Sequence, residues 1–236
     1  MTCILLTGSS RGIGAAARSL LQSRGATVIG HASAAHDAET IGGDLSDYAA
    51  PTAIWGEALE RAGGEIEVLV NNAGLFDPNP IDASDAAWLE KWQQTLSINL
   101  SAAAQLCRMA VLHWQERGVG GRIVHVASRA GHRGDSPAHW HYAAAKGGML
   151  ALHKTIARAY AGQGILSYAI APGFVDTAMA GDYLESRGGP GLLADIPLGR
   201  VAQPEEIANM IAYCALDAPA SMTGATLDAN GASYVR

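Results

Sequence analysis

Cys3-Ile4-Leu5-Leu6-Thr7-Gly8-Ser9-Ser10-Arg11-Gly12-Ile13-Gly14 is the stretch that decides the fold. A short apolar run ends in a glycine-rich turn, and residues 15–24 then repeat Ala and Leu at helical spacing, which predicts strand, tight turn, helix. Without side chains, Gly8, Gly12 and Gly14 permit the tight turn and let a pyrophosphate approach the backbone N–H groups that open the helix. Taken alone, the same glycine pattern also describes an ordinary strand-to-helix turn.

Outward from this stretch the alternation continues. Residues 26–30, 67–70, 122–127 and 166–171 are β-branched or apolar runs, and 51–62, 85–117, 143–161 and 205–216 carry helical spacing between them. Such alternation predicts an α/β fold, a doubly wound parallel sheet with crossover helices on both faces in a three-layer α/β/α arrangement. With 236 residues and 49% hydrophobic content, one domain over 1–236 is expected. A formal net charge of −6 argues against nucleic acid or an acidic membrane as the main partner and leaves small-molecule chemistry. Cys3, Cys107 and Cys214 are far apart and make no Cys-x-x-Cys pair, so free buried thiols are expected. The first strand starts next to Met1, which leaves no room for a signal peptide, and no apolar run approaches the roughly 20 residues of a membrane span. The cytoplasm is the compartment expected. Glycine clusters at 63–64, 118–121 and 188–191 read as helix ends or loops, and 177–200, the longest segment without periodicity, as a lid over a site.

Tyr142 and Lys146 stand four apart within 143–161 and its flank, which puts both side chains on one helix face. A phenol near its ordinary pKa of about 10 is a poor acid or base at neutral pH, and an adjacent ammonium is expected to lower it. Ser128 ends the run 122–127, so its hydroxyl should emerge at the strand edge. Asn71-Asn72-Ala73-Gly74 follows another apolar run and should reach the same edge.

Thr7-Gly8 with Gly12 and Gly14, Asn71 to Gly74, Ser128 with Tyr142-Ala-Ala-Ala-Lys146, and Pro172-Gly173 together resemble the short-chain dehydrogenase/reductase family over nearly the whole chain. Ser10 to Gly14, Tyr142 to Lys146, Ala171 to Phe174 and Thr223 to Thr226, matching in order, are most similar to its β-ketoacyl carrier-protein reductase-like branch. The resemblance implies a Rossmann-like sheet and hydride transfer between a nicotinamide and a small-molecule carbonyl or alcohol, with a ketone or β-ketoacyl compound as substrate. It implies Asn99, Ser128, Tyr142 and Lys146 as the catalytic set: Tyr142 the general acid/base, Ser128 orienting the carbonyl, Lys146 holding ribose, and Asn99 interrupting a helix and holding water beside Lys146. Cofactor contacts are implied at Gly8, Ser10, Arg11, Gly12, Ile13 and Gly14 around the phosphates, and at Asn72, Ala73 and Gly74 near ribose. Pro172, Gly173, Val175 and Thr177 are implied at the nicotinamide, where Tyr142 and Lys146 also meet it. Asp44 with Leu45 matches an adenine contact, and a turn-forming Asp is the alternative. Helices over 85–117 and 143–161 imply a dimer interface, and 223–231 a tetramer edge, so a homotetramer or homodimer is expected.

A carboxylate at the end of the second strand would bind a ribose 2′-hydroxyl and repel a 2′-phosphate, and that end reads His31-Ala32-Ser33. Arg11 can pair with the phosphate and Ser33 donate to it, which favours NADP(H) and leaves NAD(H) possible. Against this, Arg11 also reads as a solvated surface residue, and Asp37 and Glu39 either fold back toward the ribose or belong to a loop. Only ten residues separate Ser33 from Asp44, too few for a full crossover helix, so an exposed adenosine is expected.

The segment 129–141 departs from a bland connection through His132, His139, Trp140 and His141, and should border the substrate, with Trp140 either walling the pocket or packing between subunits. Its spacing lacks a helical His pair, and no metal is expected. Rival readings are an NAD(P)+-dependent alcohol or sugar dehydrogenase, an isomerase or dehydratase on the same scaffold, and a non-catalytic nucleotide-binding scaffold.

Overall fold

Alternation along the first strand sets the layers. In β1 (Cys3–Thr7), Ile4 and Leu6 face one side of the sheet and Cys3 and Leu5 the other, as a period of two requires, and all four are buried. The same division recurs in β2 (Thr27–Ala32), β4 (Val68–Asn71), β5 (Gly121–Val126) and β6 (Ile165–Pro172), and the short strands β3 (Thr40–Gly42) and β7 (Thr226–Ala229) complete the set. They form one seven-stranded sheet in the order β3-β2-β1-β4-β5-β6-β7, every pair parallel. The computed structural model describes residues 1–177 and 193–236. Of the lid expected over 177–200, residues 178–192 lie outside the described residues, as does the glycine cluster at 188–191.

Among the described residues the strands are joined through α1 (Gly12–Ser23), α2 (Ala50–Arg61), α3 (Asp85–Leu96), α4 (Ala102–Arg117), α5 (Ala130–Arg133), α6 (Trp140–Tyr160) and α7 (Pro204–Ala212). Ala17 and Leu21 of α1 and Ile207 and Ile211 of α7 pack on Ile4, Leu6, Val28, Val70 and Val124. On the opposite face Ile54 and Trp55 of α2, Leu106 and Trp114 of α4, and Ile156 of α6 cover Leu5, Ile29, Leu69 and Ile123. Strands covered on both faces carry near-continuous apolar runs, which is why the central ones are legible from composition. β3 and β7 are the sheet's two edges, and at three and four residues they are too short to show a period. The link from β2 to β3 spans 33–39 without a helix, as its length implies.

The helical run Asp85–Arg117 is interrupted, at the residue the family resemblance implies, and is unusually apolar. A π-helical turn, Ser97–Ser101, separates α3 from α4 and carries Asn99. By length and composition the run is also long and apolar enough to cross a membrane, against the expectation that no run is. Half of its most apolar window is buried, with Leu106, Cys107, Ala110 and Trp114 packed into the core, so the fold already accounts for its apolar side chains.

Two glycine substitutions test this packing. A Cβ on Gly14 would lie 1.9 Å from the Gly8 carbonyl oxygen, so Gly14→Ala is expected to cost about 2–4 kcal/mol in denaturant unfolding. Gly56, inside α2, has nothing within 4 Å of its Cβ position, and Gly56→Ala should gain roughly 0.5–1 kcal/mol.

Candidate active site

Because β1 lies between β2 and β4, the connections leaving β1 and β4 diverge and open a crevice at the carboxyl ends of the strands. A cleft of about 520 Å³ occupies that position. Its walls include Gly8, Ser10, Arg11, Gly12, Ile13 and Gly14 after β1, Ser33 after β2, and Asp44 and Leu45 after β3. Asn72, Ala73 and Gly74 after β4, Ser128 after β5, Tyr142 and Lys146 of α6, and Pro172, Gly173, Val175 and Thr177 complete the sequence-derived set. Asn99 is not a lining residue; it is fully buried behind the wall.

The turn after β1 has room for a pyrophosphate. Gly8 and Gly12 have φ of +67° and +51°, a left-handed conformation that disfavours side chains. A Cβ on Gly8 would fall 2.8 Å from the Ala73 Cα, so the two segments approach backbone to backbone. Arg11, the N-cap of α1, is extended and makes no side-chain cap, and the first turn contains no acidic residue. The first N–H groups of α1 and its positive dipole end are therefore free of side-chain partners beside the cleft, the donor set that an anionic phosphate needs. Around this turn the Thr7 hydroxyl accepts from the Asn72 and Ala73 N–H groups at 3.0 and 3.1 Å, and Asn72 Nδ2 donates to the Thr7 and Gly8 carbonyls at 3.0 Å each.

At the nucleotide end, Ser33 and Arg11 are exposed, and the Arg11 side chain makes no hydrogen bond or ion pair with any described residue. His31 is buried with Nε2 2.9 Å from the Gly43 carbonyl, and burial pushes its pKa down. Asp44 lines the cleft and also makes a turn: its carboxylate accepts from Ser46 N at 2.9 Å, a bond that lowers its pKa. Asp37 and Glu39 do not line the cleft; Arg18 of α1 binds them at 2.8 and 2.9 Å.

At the other end, Asn99 Oδ1 accepts from Leu75 N at 2.7 Å and its Nδ2 donates to Leu75 O at 2.8 Å. Both amide groups are thus engaged with one backbone residue. A Cβ on Gly74 would lie 3.5 Å from Asn99 Oδ1 and 3.6 Å from Lys146 Nζ, so these two side chains converge beneath Gly74. Lys146 Nζ donates to the Val126 carbonyl at 2.8 Å, and the Ser128 hydroxyl accepts from Ala130 N at 3.1 Å. The expected lowering of the Tyr142 pKa by Lys146 is not what this arrangement produces. Burial raises Tyr142 to about 12, Ser128 opposes the rise by hydrogen bonding, and the Asp135 carboxylate adds to it. Lys146 is itself lowered to about 8 by burial, and its ammonium is turned to Val126, 5.8 Å from the Tyr142 ring centre. Desolvation penalises the charged form of each group more than their mutual attraction recovers.

Sequence reasoning missed several walls of the cleft. Leu75, Phe76, Ile98, Asp135 and Phe174 line it, and Thr7 braces it. Phe76 packs edge-on against Tyr142 at 4.7 Å and stacks on His139 at 4.1 Å, while Asn79 N bonds the Ala138 carbonyl at 2.7 Å and His141 Nε2 lies 3.1 Å from Asp77 O. These contacts lock the segment after β4 to the histidine-rich segment before Tyr142. Trp140, read as either a pocket wall or a subunit contact, is 55% exposed and outside the cleft, so it is not a wall; Phe76 supplies the aromatic surface instead. Its signal was its place, two residues beyond Gly74. His125 and His153, also unremarked, form a buried edge-to-face pair at 5.8 Å between β5 and α6, and burial lowers His125 to about 3.

Fold and cleft define the class as an NAD(P)-dependent oxidoreductase. A family model described as enoyl-(acyl carrier protein) reductase matches residues 8–231. The chain is 35% identical over 241 residues to the 3-oxoacyl-(acyl-carrier-protein) reductase FabG of Escherichia coli (strain K12), with 98% of this chain and 96% of that protein covered. It is 34% identical to the FabG of Pseudomonas aeruginosa (98% and 96% covered) and 33% identical to that of Haemophilus influenzae (98% and 97%). The chain belongs to the short-chain dehydrogenase/reductase family.

The buried amine predicts a pH dependence of stability. Lys146 has a pKa of about 8 in the fold against 10.5 as its ordinary value, so between these pH values the unfolded chain binds more protons. The penalty is fully present below pH 8 and fades as pH rises. Relative to a Lys146→Met variant, the parent should therefore gain about 2 kcal/mol between pH 8 and 10 in denaturant unfolding, and parallel profiles would contradict the depressed pKa.

Proposed function

We propose that this cleft reduces a small ketone or 3-oxoacyl compound with NADPH, Tyr142 serving as the proton donor. The observation that carries the proposal is the convergence of Ser128, Tyr142 and Lys146 on one cleft with the uncapped start of α1. Gly8 to Gly14 and the α1 N-terminus would hold the pyrophosphate, Asn72 to Gly74 and Lys146 the nicotinamide ribose, and Pro172 to Val175 with Thr177 the nicotinamide. When bound, the nicotinamide supplies hydride to the carbonyl carbon. Ser128 and Tyr142 orient the carbonyl oxygen between two hydroxyls, and Tyr142 delivers its proton as negative charge develops there. A hydroxyl whose pKa is near 12 remains protonated at neutral pH, the form that a proton donor needs. Lys146, positively charged at neutral pH, stabilises the phenolate left behind; Asn99 acts through Leu75, setting the backbone that carries Phe76 against the Tyr142 ring.

NADP(H) is favoured by the absence of a carboxylate at His31-Ala32-Ser33, by the unpartnered Arg11, and by the engagement of Asp37 and Glu39 elsewhere. The 3-oxoacyl substrate class rests on the names of the FabG relatives. A homotetramer is supported by apolar residues left exposed on α3 and α4, Leu89 and Leu112, and by β7 as an open sheet edge.

NADPH consumption against ketones, aldehydes and 3-oxoacyl thioesters tests the proposal, with Tyr142→Phe beside the parent. The variant should bind NADPH, judged by fluorescence titration, and lose about 10²–10⁴-fold in kcat. Equal rates would remove Tyr142 from the chemistry.

A further inference from the structure

Arg18 lies on α1, and its side chain is 13% exposed. Its guanidinium donates to both oxygens of Asp37 at 2.8 and 3.3 Å, to Glu39 at 2.9 Å and to the Thr40 hydroxyl at 3.1 Å. Gln22, one turn further along the helix, donates to the same Glu39 oxygen at 2.9 Å. Asp37 also accepts from Glu39 N at 3.0 Å. These two carboxylates belong to the helix-free link 33–39, which leaves the cleft at Ser33 and returns to begin β3 at Thr40. Asp37 is four residues from Ser33, a span of up to about 14 Å when extended, so the link is long enough to bring its charge to the nucleotide end unless something holds it away.

We propose that Arg18 is a specificity-determining residue for the cofactor's 2′-phosphate, acting by withdrawing and neutralising the carboxylates of Asp37 and Glu39 rather than by touching the phosphate. The inference rests on the NADP(H) reading above. Its chemistry is that of charge placement: a 2′-phosphate is repelled by a nearby carboxylate, whereas the 2′-hydroxyl of NADH is not. Arg11 and Ser33 provide the direct contacts, and Arg18, one positive charge against two negative ones, reduces the negative field that would oppose them. The clamp also fixes the path of the link, so the two carboxylates stay beside α1 when the cleft fills.

Equilibrium dissociation constants for NADPH, NADH and 2′,5′-ADP, measured by titration on the full chain, test it. In Arg18→Gln the constants for NADPH and 2′,5′-ADP should rise about three- to tenfold at low ionic strength, with NADH changed less than about twofold and the gap narrowing in salt. Adding Asp37→Asn and Glu39→Gln to that variant should restore the parent's NADPH:NADH ratio. In the parent background the Asp37→Asn, Glu39→Gln pair alone, which leaves Arg18 charged, should tighten NADPH relative to NADH, and this arm does not depend on how well Arg18→Gln folds. If NADPH and NADH shift together, or if the pair leaves their ratio unchanged, Arg18 only anchors the link and the inference is wrong. The parent's own ratio addresses the cofactor reading separately: equal affinities for NADPH and NADH would overturn that reading, whereas an unchanged ratio across the variants overturns the role of Arg18.

Discussion

The carbonyl oxygen of Gly8 sits 1.9 Å from the point where a side chain on Gly14 would begin, and Asn72 Nδ2 stands 2.7 Å from the same point. Three chain segments meet there with no side chain of their own to spare. The contact lets α1 start directly against the end of β1 and leaves its first N–H groups turned to the cleft. It also ties β4 to β1, since the Asn72 amide that fills the remaining space bonds the Thr7 and Gly8 carbonyls. The order continues from β4 by short steps: Leu75 is held by Asn99, Phe76 rests on Tyr142 and His139, and Asp77 and Asn79 join His141 and Ala138. Phosphate cradle and chemical end are therefore parts of one packed unit.

Burial is the dominant electrostatic fact at the chemical end. Tyr142 is pushed up and Lys146 down, each toward its neutral form. The ammonium is compensated by a backbone carbonyl dipole at Val126 rather than by a carboxylate, so its field is little offset within the site. The cofactor end is arranged differently. Its charges are exposed, and selectivity there depends on which of them are paired: Asp37 and Glu39 are, and Arg11 is not.

The central strands were legible because burial on both faces demands continuous apolar runs, and Tyr142 with Lys146 because four residues bring side chains to one helix face. The edge strands β3 and β7 were not, being too short to establish a period. Ser128 and Asn72 line the cleft because each follows an apolar run, and strand ends lie at the crevice. Phe76 escaped notice, and Asp135 and Phe174 were reached only as members of the 129–141 segment and the 171–174 motif, because all three lie in connections, whose course depends on contacts with distant segments. Trp140 shows the same limit from the other side: an aromatic beside Tyr142 in sequence faces solvent, while one 66 positions away packs on the ring.

By itself the sequence determined the quantities set by near neighbours along the chain: strand and helix periods, the tight glycine turn, the shared face of Tyr142 and Lys146, and the shortness of the link between β2 and β3. Tertiary structure alone decided where that link's carboxylates go, because Arg18 is 19 residues from Asp37 and meets it only once α1 is docked on the sheet. It likewise decided that the Tyr142 pKa rises. Proximity to Lys146 is a local property, whereas desolvation depends on how much of the rest of the chain closes around the hydroxyl.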